Sequence, residues 1–263
     1  MNNLSRFEYN YKKLVKRVLT QGENTQTRNG GTRSLFGIQL KIDLLRLNHF
    51  PLLTGRQIFY KGVAGEMAAF LKGPKSISDF KKQGCNYWEE WSDDNGNIKV
   101  DYGNKWINFN GVDQINNLIS NLIKDPLDRR LLVSGWDPSS KNLSLPCCHY
   151  AYQFRLVDGK IDIVWVQRSL DVMIGLPSDI ILAALFLILV CNTTCYEPGS
   201  IIMQFGDTHI YENHVDQAYA YLKTATHEPP TYKLRSIINN FNGKDLEILN
   251  YVHEPQINFK LNV

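Results

Sequence analysis

The sequence lacks several features that would assign a protein at once. Its 29 Lys and Arg residues against 26 Asp and Glu leave a net charge of only +3, too little to indicate a nucleic-acid or membrane-surface partner by itself. Its longest apolar run, residues 180–191, is shorter than the ~20 residues that span a membrane. We therefore predict that this run is a helix buried in the core.

Cysteine is sparse and unevenly placed, and this argues against a disulfide framework or a zinc site. The five cysteines are an odd number, Cys147 and Cys148 are adjacent, and no pairs stand at zinc-ribbon spacing. The polar opening Met1–Asn10 has no apolar run typical of a signal peptide. We expect a soluble, cytoplasmic protein, in the host cytoplasm if its source is a virus.

Internal repeats, low-complexity tracts and a Gly-x-Gly-x-x-Gly fingerprint are also missing. Hydrophobic residues make up 43% and charged residues 21%, which is typical of a folded chain with a sizeable core. The length suits one large domain as well as two.

Hydrophobic periodicity and turn signals predict mixed helices and strands. Helices are expected at 7–19, 56–71, 112–123, 180–191 and 213–226. Strands are expected at 34–44, 201–205, near 232–238 and 246–251, and in a hairpin of 150–157 and 160–166 around Asp158-Gly159. This mixture predicts an α+β fold, with a large, mostly antiparallel sheet and helices packed on it.

Two kinds of side chain stand out for nucleophilic and anion-binding chemistry. Cys148 could be a buried small residue, or a nucleophile if a cation such as Arg168 favours its thiolate. Arginines recur beside turns and could together hold a phosphate, although each alone is better explained as surface charge. They are Arg28, Arg129, Arg130 and Arg168.

Two carboxylates also have alternative explanations. Glu66 lies within a helix of small and apolar residues, so it either faces a polar stripe or is a buried acid with a function, and we favour the second. Ser178 and Asp179 stand just before the apolar run, where both are good helix N-caps.

Several motifs in register resemble the thymidylate synthase family over residues from about 28 to the C-terminus. The segments 167–177 and 206–214 resemble its nucleotide-binding signatures, and Pro146-Cys147-Cys148-His149 resembles its Pro-Cys-His nucleophile motif with one cysteine added. Further matches are Asp128-Arg129-Arg130, Trp88-Glu89-Glu90-Trp91 and Asp101-Tyr102-Gly103.

The resemblance implies one catalytic domain over 1–263 and an obligate homodimer, with no metal, no membrane and no nucleic-acid partner. It makes Cys148 the nucleophile that adds to C6 of a pyrimidine nucleoside monophosphate, with Glu66 and Tyr102 managing water and protons. It also implies a nucleotide site of Arg28, Gln167, Arg168, Ser169, Asp171, Asp179, His209 and Tyr211, with Arg129 and Arg130 donated by the partner. For the co-substrate 5,10-methylenetetrahydrofolate it implies Trp88, Leu145, Asp171, Gly175 and Ser178.

The departures from the family concern the base and the product. Synthases have Pro-Phe-Asn where this chain has Pro177-Ser178-Asp179, and Asp here resembles the bacteriophage-type deoxycytidylate hydroxymethylases. An Asp can accept from the cytosine amino group and share a proton with N3, and a mismatched buried polar pair costs about 1–3 kcal/mol. Capping would then be a second role of Asp179.

Ser178 replaces an aromatic wall near the folate ring, and the tail, Phe259 to Val263, is also altered. Both changes favour water as the final reactant, which would give a 5-hydroxymethyl product of use in phage DNA modification. We therefore expect a dCMP 5-hydroxymethylase. The alternatives are a dCMP methyltransferase that uses folate as hydride donor, a CMP hydroxymethylase and a divergent thymidylate synthase acting on dUMP.

Overall fold

A computed structural model describes residues 3–44 and 49–262 of the chain, and its main elements are helices packed around one large sheet. The helices are α1 (Asn3–Gln21), α2 (Tyr60–Phe70), α3 (Ile77–Lys82), α4 (Asn104–Ile107), α5 (Gln114–Lys124), α6 (Gly175–Thr194) and α7 (Val215–Leu222). The strands are β1 (Glu23–Thr27), β2 (Gly30–Asp43), β3 (Leu132–Ser134), β4 (His149–Val157), β5 (Lys160–Asp171), β6 (Glu197–Tyr211), β7 (Thr231–Lys233) and β8 (Glu247–Leu249). Short 3-10 turns lie at Glu89–Trp91, Glu212–His214, Ile238–Asn240 and Gly243–Asp245.

The main sheet has the order β1-β2-β6-β5-β4-β3 and is antiparallel except for the central β5–β6 pair. These two parallel strands are joined by α6, because parallel neighbours need a crossover connection. A separate antiparallel pair joins β7 to β8. The predicted α+β class with a large, mostly antiparallel sheet is confirmed.

Helix α6 forms the centre of the core. It is apolar on every side, and its residues from Ile180 to Cys191 are buried, as expected for a helix enclosed by other elements. It packs on β5, β6, α2 and α5. Its length and composition alone would allow a membrane crossing, but its burial identifies it as the core helix that the sequence predicted.

Several predicted boundaries were wrong for local reasons. The helix expected at 56–71 begins only at Tyr60, and the one expected at 213–226 is a 3-10 turn followed by α7. The turn that holds Arg28 has only two residues, Arg28-Asn29, because Gly30 and Gly31 already belong to β2. Strand β1 was missed because its residues are polar and exposed, without alternation.

The strands bring distant parts of the chain to one edge of the sheet. His149 at the start of β4 pairs with Gln167, and Asp171 at the end of β5 pairs with His209. Tyr211 at the end of β6 pairs with Thr32, close to the β1–β2 turn. This edge therefore collects most of the side chains that the sequence analysis selected.

Helix α6 ends at Thr194, and its C-cap residue is Cys195. The left-handed backbone of Cys195 (φ 61°, ψ 28°) is costly for a residue with a Cβ atom. We predict that Cys195→Gly raises the free energy of unfolding by about 1 kcal/mol, measured by urea denaturation. Cys195→Ala is the matched control, because it removes the exposed thiol but keeps the Cβ. Equal stabilisation by both variants would show that the thiol, and not the backbone, is responsible.

Candidate active site

Cys148 lies immediately before β4, and both of its main-chain polar groups are held. Its amide donates to the hydroxyl of Tyr102 at 2.6 Å, and its carbonyl accepts from the amide of Arg168 at 2.9 Å. The side chain itself is partly exposed. The backbone thus fixes the direction of the thiol while leaving it accessible.

Arg168 spans the loop that carries the cysteine. Its Nε donates to the carbonyl of Cys147 at 2.7 Å, and its Nη2 donates to the carbonyl of Pro146 at 3.0 Å. The guanidinium also lies 5.9 Å from the ring centre of Trp136. These contacts fix the plane of the guanidinium and leave further N–H groups for an anion.

The electrostatic environment of Cys148 does not favour the thiolate in this form of the protein. Burial raises the pKa of the thiol above its usual value, while Arg168 and a hydrogen bond from Tyr102 lower it and Asp179 raises it further. Arg168, the cation that the sequence analysis selected, lowers the pKa of Cys148, but burial has the larger effect and the net shift is upwards. The role of Cys148 as a nucleophile stays a prediction.

The thiol groups of the adjacent Cys147 and Cys148 lie in different surroundings. The thiol of Cys147 is buried and lies 3.7 Å from the carbonyl oxygen of Gly135, and burial raises its pKa to about 12. Cys148 is the more accessible of the two. The added cysteine is therefore part of the core, and Cys148 is the nucleophile candidate.

Glu66 on α2 is a buried carboxyl group held by two donors. Trp88 Nε1 donates to Oε1 at 2.7 Å, and the hydroxyl of Tyr87 donates to Oε2 at 2.7 Å. Burial raises the pKa of Glu66 to about 7, although the two hydrogen bonds lower it. The group can therefore gain or lose a proton near neutral pH.

Asp179 is a second carboxyl group with the same property. Its Oδ2 accepts from Nε2 of Gln167 at 2.7 Å. Burial raises the pKa of Asp179 to about 7; the Gln167 hydrogen bond lowers it, and the charges of Glu66 and Asp171 raise it. Asp179 also interacts electrostatically with Cys148 and Tyr102, so these groups share one cluster.

The prediction that Ser178 and Asp179 cap α6 was wrong, because the helix begins five residues earlier than expected. Gly175 is its first residue, and its N-cap position, Ile174, makes no side-chain cap. Asp171 instead accepts from the amides of Met173 and Ile174 at 2.8 and 3.1 Å. The carboxylate of Asp179 is therefore free of a capping role and points into the site.

A third group of side chains lies at the ends of β5 and β6. His209 Nδ1 lies 2.6 Å from Oδ1 of Asp207, and because a carboxylate only accepts, Nδ1 donates and Nε2 is left as an acceptor. Ser169 pairs with Asp207 across the strands. Tyr211 interacts electrostatically with Asp171 and Cys148, which places it beside the cluster.

The remaining predicted site residues are placed less directly. Arg28 is exposed in the β1–β2 turn, near Tyr211 but without a contact to Arg168 among the described residues. Leu145 is partly buried against the core, in the loop that leads to Cys148. Gly175 lies between two acids, since a Cβ there would be 3.6 Å from Asp179 Oδ2 and 3.7 Å from Asp171 Cβ.

Arg129 and Arg130 are not brought to this cluster. The carbonyl of Arg129 accepts from Gln153 on β4 at 3.1 Å, and Gln153 is five residues, roughly 15 Å, along the chain from Cys148. Arg130 is exposed and paired with Asp128 at 2.9 Å. Neither side chain contributes to the site of its own chain.

Two residues of the cluster were not selected from the sequence. Tyr87 holds Glu66, and Asp207 fixes the ring of His209. Asp207 stands in a quoted motif next to His209, and its i, i+2 spacing on a strand was the available signal. Nothing local to Tyr87 indicated its contact, because α2 is distant in sequence. Within the ranges 3–44 and 49–262, no group of three or more His, Cys, Asp or Glu side chains could hold a metal ion.

The raised pKa of Glu66 predicts a specific dependence of stability on pH. Between about pH 4.5 and 7 the folded state keeps a proton on Glu66 that the unfolded state releases. As the pH rises through this range, the contribution of Glu66 to the free energy of unfolding falls by up to about 1.4 kcal/mol per pH unit. We predict that Glu66→Gln removes this contribution, so that its stability relative to wild type increases from pH 5 to pH 7. Urea denaturation at several pH values measures it. The exposed Glu90→Gln variant is the control, and a parallel profile for both variants would contradict the prediction.

The comparison with known families agrees with the geometry of the cluster. The family model described as thymidylate synthase matches residues 9–263, which include every member of the cluster and nearly the whole chain. This family carries out one-carbon transfer to C5 of pyrimidine nucleotides and uses methylenetetrahydrofolate. The chain therefore belongs to the thymidylate synthase family.

Proposed function

We propose that this protein is a dCMP 5-hydroxymethylase that uses 5,10-methylenetetrahydrofolate and water and works through a covalent bond between Cys148 and C6 of the base. We infer cytosine as the base from Asp179, a carboxyl group with a pKa of about 7 at the position that would face the base. Family membership supports only the reaction class, so this residue decides between cytosine and uracil.

Cytosine and uracil differ in their hydrogen-bond polarity. Cytosine offers a donor at N4 and an acceptor at N3, whereas uracil offers the opposite pattern. A neutral Asp179 has one O–H donor and a carbonyl oxygen that accepts from Gln167 and keeps a second lone pair, and it matches cytosine with both. A pKa of about 7 makes this neutral form available at physiological pH.

The same proton assists the addition of the nucleophile. As the sulfur of Cys148 bonds to C6, electron density moves into the ring, and a proton passed from Asp179 to N3 neutralises it. The thiol, which is partly exposed, would give its own proton to water in this step, because Tyr102 has a pKa raised well above its usual value by burial and donates to the sulfur. C5 then becomes the nucleophilic carbon.

The folate supplies the one-carbon unit at the oxidation level of a methylene group. The residues present suit its pteridine ring: Gly175 leaves a gap that a Cβ would fill beside Asp171 and Asp179, and Trp88 and Leu145 provide apolar surface nearby. Ser178 is small, and its hydroxyl lies 3.5 Å from the carbonyl of Ile174. It therefore leaves space where an aromatic side chain would exclude water.

Water in that space is the basis for a hydroxymethyl product. Loss of the C5 proton and departure of tetrahydrofolate would leave an exocyclic methylene carbon on the base. Glu66, whose pKa is about 7, would accept a proton from the water that adds to this carbon. Elimination of Cys148 from C6 would then release the 5-hydroxymethyl product. The C-terminal tail also favours the entry of water into this space, because its described part carries polar residues such as Lys260 and Asn262. Val263 lies outside the described residues.

Phosphate and sugar would bind along the same edge of the sheet. Arg168 presents fixed N–H groups, Ser169 adds a hydroxyl, and Arg28 in its exposed turn could fold over the phosphate. The sugar hydroxyl would donate to Nε2 of His209, whose orientation Asp207 fixes. Tyr211 would provide the other hydrogen bond.

A homodimer would complete the phosphate site. Arg129 and Arg130 are exposed and far from their own cysteine, and Arg129 lines a groove together with Leu127, Val164 and Ile202. Leu127 is 76% exposed. Burial of this apolar surface would stabilise a dimer and deliver the arginines to the partner.

The substrate is tested by incubating the protein with methylenetetrahydrofolate and either dCMP, CMP or dUMP, with mass spectrometry of the products. We expect 5-hydroxymethyl-dCMP and none from Cys148→Ala. A methylated cytosine product would retain the role of Asp179 and exclude that of water. Turnover of dUMP alone would exclude the cytosine assignment, and preference for CMP would change only the sugar.

We predict that Asp179→Asn shifts the preference towards dUMP. Gln167 would donate to the amide oxygen of the asparagine at this position. The NH2 group of that asparagine would then face the base and match uracil O4. The ratio of kcat/KM for dCMP over dUMP should fall about tenfold or more. Ser178→Ala is the control, because it changes a neighbouring polar group without altering the base contact.

The shared phosphate site predicts complementation between two inactive variants. Cys148→Ala and the double variant Arg129→Ala/Arg130→Ala should each lose activity. After equal mixing and exchange of subunits, half of the dimers contain one intact site, so about a quarter of wild-type activity should return. No recovery despite exchange, or a monomer in sedimentation analysis, would contradict the dimer.

A further inference from the structure

Trp165 is a fully buried residue of β5 that takes no part in the chemistry proposed above. It contacts Gln167, the residue that holds Asp179. Its indole Nε1 donates to Oε1 of Gln167 at 3.2 Å, and Gln167 Nε2 in turn donates to Oδ2 of Asp179 at 2.7 Å. The side chains of Trp165 and Gln167 are 0% and 1% exposed. A chain of two hydrogen bonds thus connects the core to Asp179.

The functional groups fix which partner donates in each of these two hydrogen bonds. An indole N–H can only donate, whereas the two ends of a glutamine amide differ. The carbonyl of Gln167 must therefore face Trp165, and its NH2 group must face Asp179. The reverse orientation would place two N–H donors against each other in a buried site, which costs the full desolvation of both groups.

The indole cannot easily turn away from this contact. Its ring lies 4.6 Å from His149 and 4.7 Å from Tyr152, measured between ring centres. Nδ1 of His149 is engaged with the hydroxyl of Tyr152 at 2.5 Å, and burial lowers the pKa of His149 to about 3. The rings around Trp165 are therefore uncharged and closely packed, and they hold its N–H in one direction.

We propose that Trp165 is a positioning residue for base specificity, which acts by holding the amide of Gln167 so that its N–H faces Oδ2 of Asp179 and favours Oδ2 as the carbonyl oxygen of the neutral carboxyl group. This inference rests on the proposed function, with Oδ1 facing N3 of the base and Oδ2 facing the group at C4. The proton of Asp179 then resides preferentially on Oδ1. That arrangement offers one donor, Oδ1–H, for cytosine N3 and one acceptor, Oδ2, for the cytosine amino group.

The same constraint acts against uracil. A match to uracil would need Oδ1 to accept from N3–H and a proton on Oδ2 to reach O4. A hydroxyl oxygen is a weaker acceptor than a carbonyl oxygen, so a proton on Oδ2 would weaken the hydrogen bond that Gln167 donates to it. Trp165 thus disfavours the arrangement of Asp179 that would fit the wrong base.

The test is Trp165→Phe, which keeps an aromatic ring but removes the N–H. The amide of Gln167 can then rotate and accept from Asp179, which places the proton on the wrong oxygen for cytosine. We expect the ratio of kcat/KM for dCMP over dUMP to fall about tenfold. Because the rotated amide stabilises the neutral carboxyl group, the apparent pKa for dCMP binding that depends on Asp179 should also rise.

Trp106→Phe is the matched control. Trp106 is also 0% exposed and packs against Tyr152 at 5.1 Å, but within the described residues its Nε1 donates to neither Gln167 nor Asp179. It should lower stability about as much as Trp165→Phe and leave the substrate ratio unchanged. If both variants change the ratio equally, packing explains the effect and the inference is wrong.

A double-mutant cycle identifies the route of the effect. If Trp165 acts through Gln167, then Trp165→Phe should change the substrate ratio no further in a Gln167→Leu background. Additive effects would overturn the inference. A wild-type preference for dUMP overturns the proposed function and this inference with it, whereas a preference for dCMP that Trp165→Phe leaves unchanged overturns the inference alone.

Discussion

The hydrogen bond between Gln167 and Asp179 is the contact on which the chemistry of this site depends. It joins the end of the central strand β5 to the first turns of the core helix α6. Because both elements are rigid, a carboxyl group can be kept in a poorly solvated position without collapsing towards another partner. The raised pKa of Asp179 follows from that position, and the proposed choice of cytosine over uracil depends on it.

Two carboxyl groups in one cavity influence each other. Glu66 and Asp179 both have a pKa near 7 because they are buried, and the charge of Glu66 raises the pKa of Asp179 further. Ionisation of one therefore disfavours ionisation of the other, and at neutral pH the pair tends to hold one proton. One group can then act as an acid while the other acts as a base, which suits a reaction that needs both.

The sequence predicted the fold class and most members of the site, but it predicted their contacts less well. The motifs identified Cys148, Glu66 and Asp179, because their residue types are unusual in apolar surroundings. The sequence did not show that α6 begins at Gly175, since a helix start without a capping side chain has no local signal. For the same reason the capping role of Asp179 was wrong, and the hydrogen bonds that Asp171 accepts from the amides of Met173 and Ile174 just before the helix were missed.

Long-range contacts explain the other differences. Tyr87 and Glu66 meet through the packing of α2 against a loop, and the pKa of Cys148 reflects a balance between burial and charge that residue order cannot give. Arg28 and the pair Arg129 and Arg130 were selected by motif, and the structure separates them from the cluster. Their roles remain predictions that depend on ligand and partner.

The two bonds from Arg168 to the carbonyls of Pro146 and Cys147 have an evolutionary consequence. The same guanidinium supports the loop that presents the sulfur and stands ready for an anion, so neither task can change without the other. A lysine could supply the charge but not the forked pair of donors. Relatives that exchange their phosphorylated substrate for an uncharged one would need to rebuild this loop before they could dispense with the arginine.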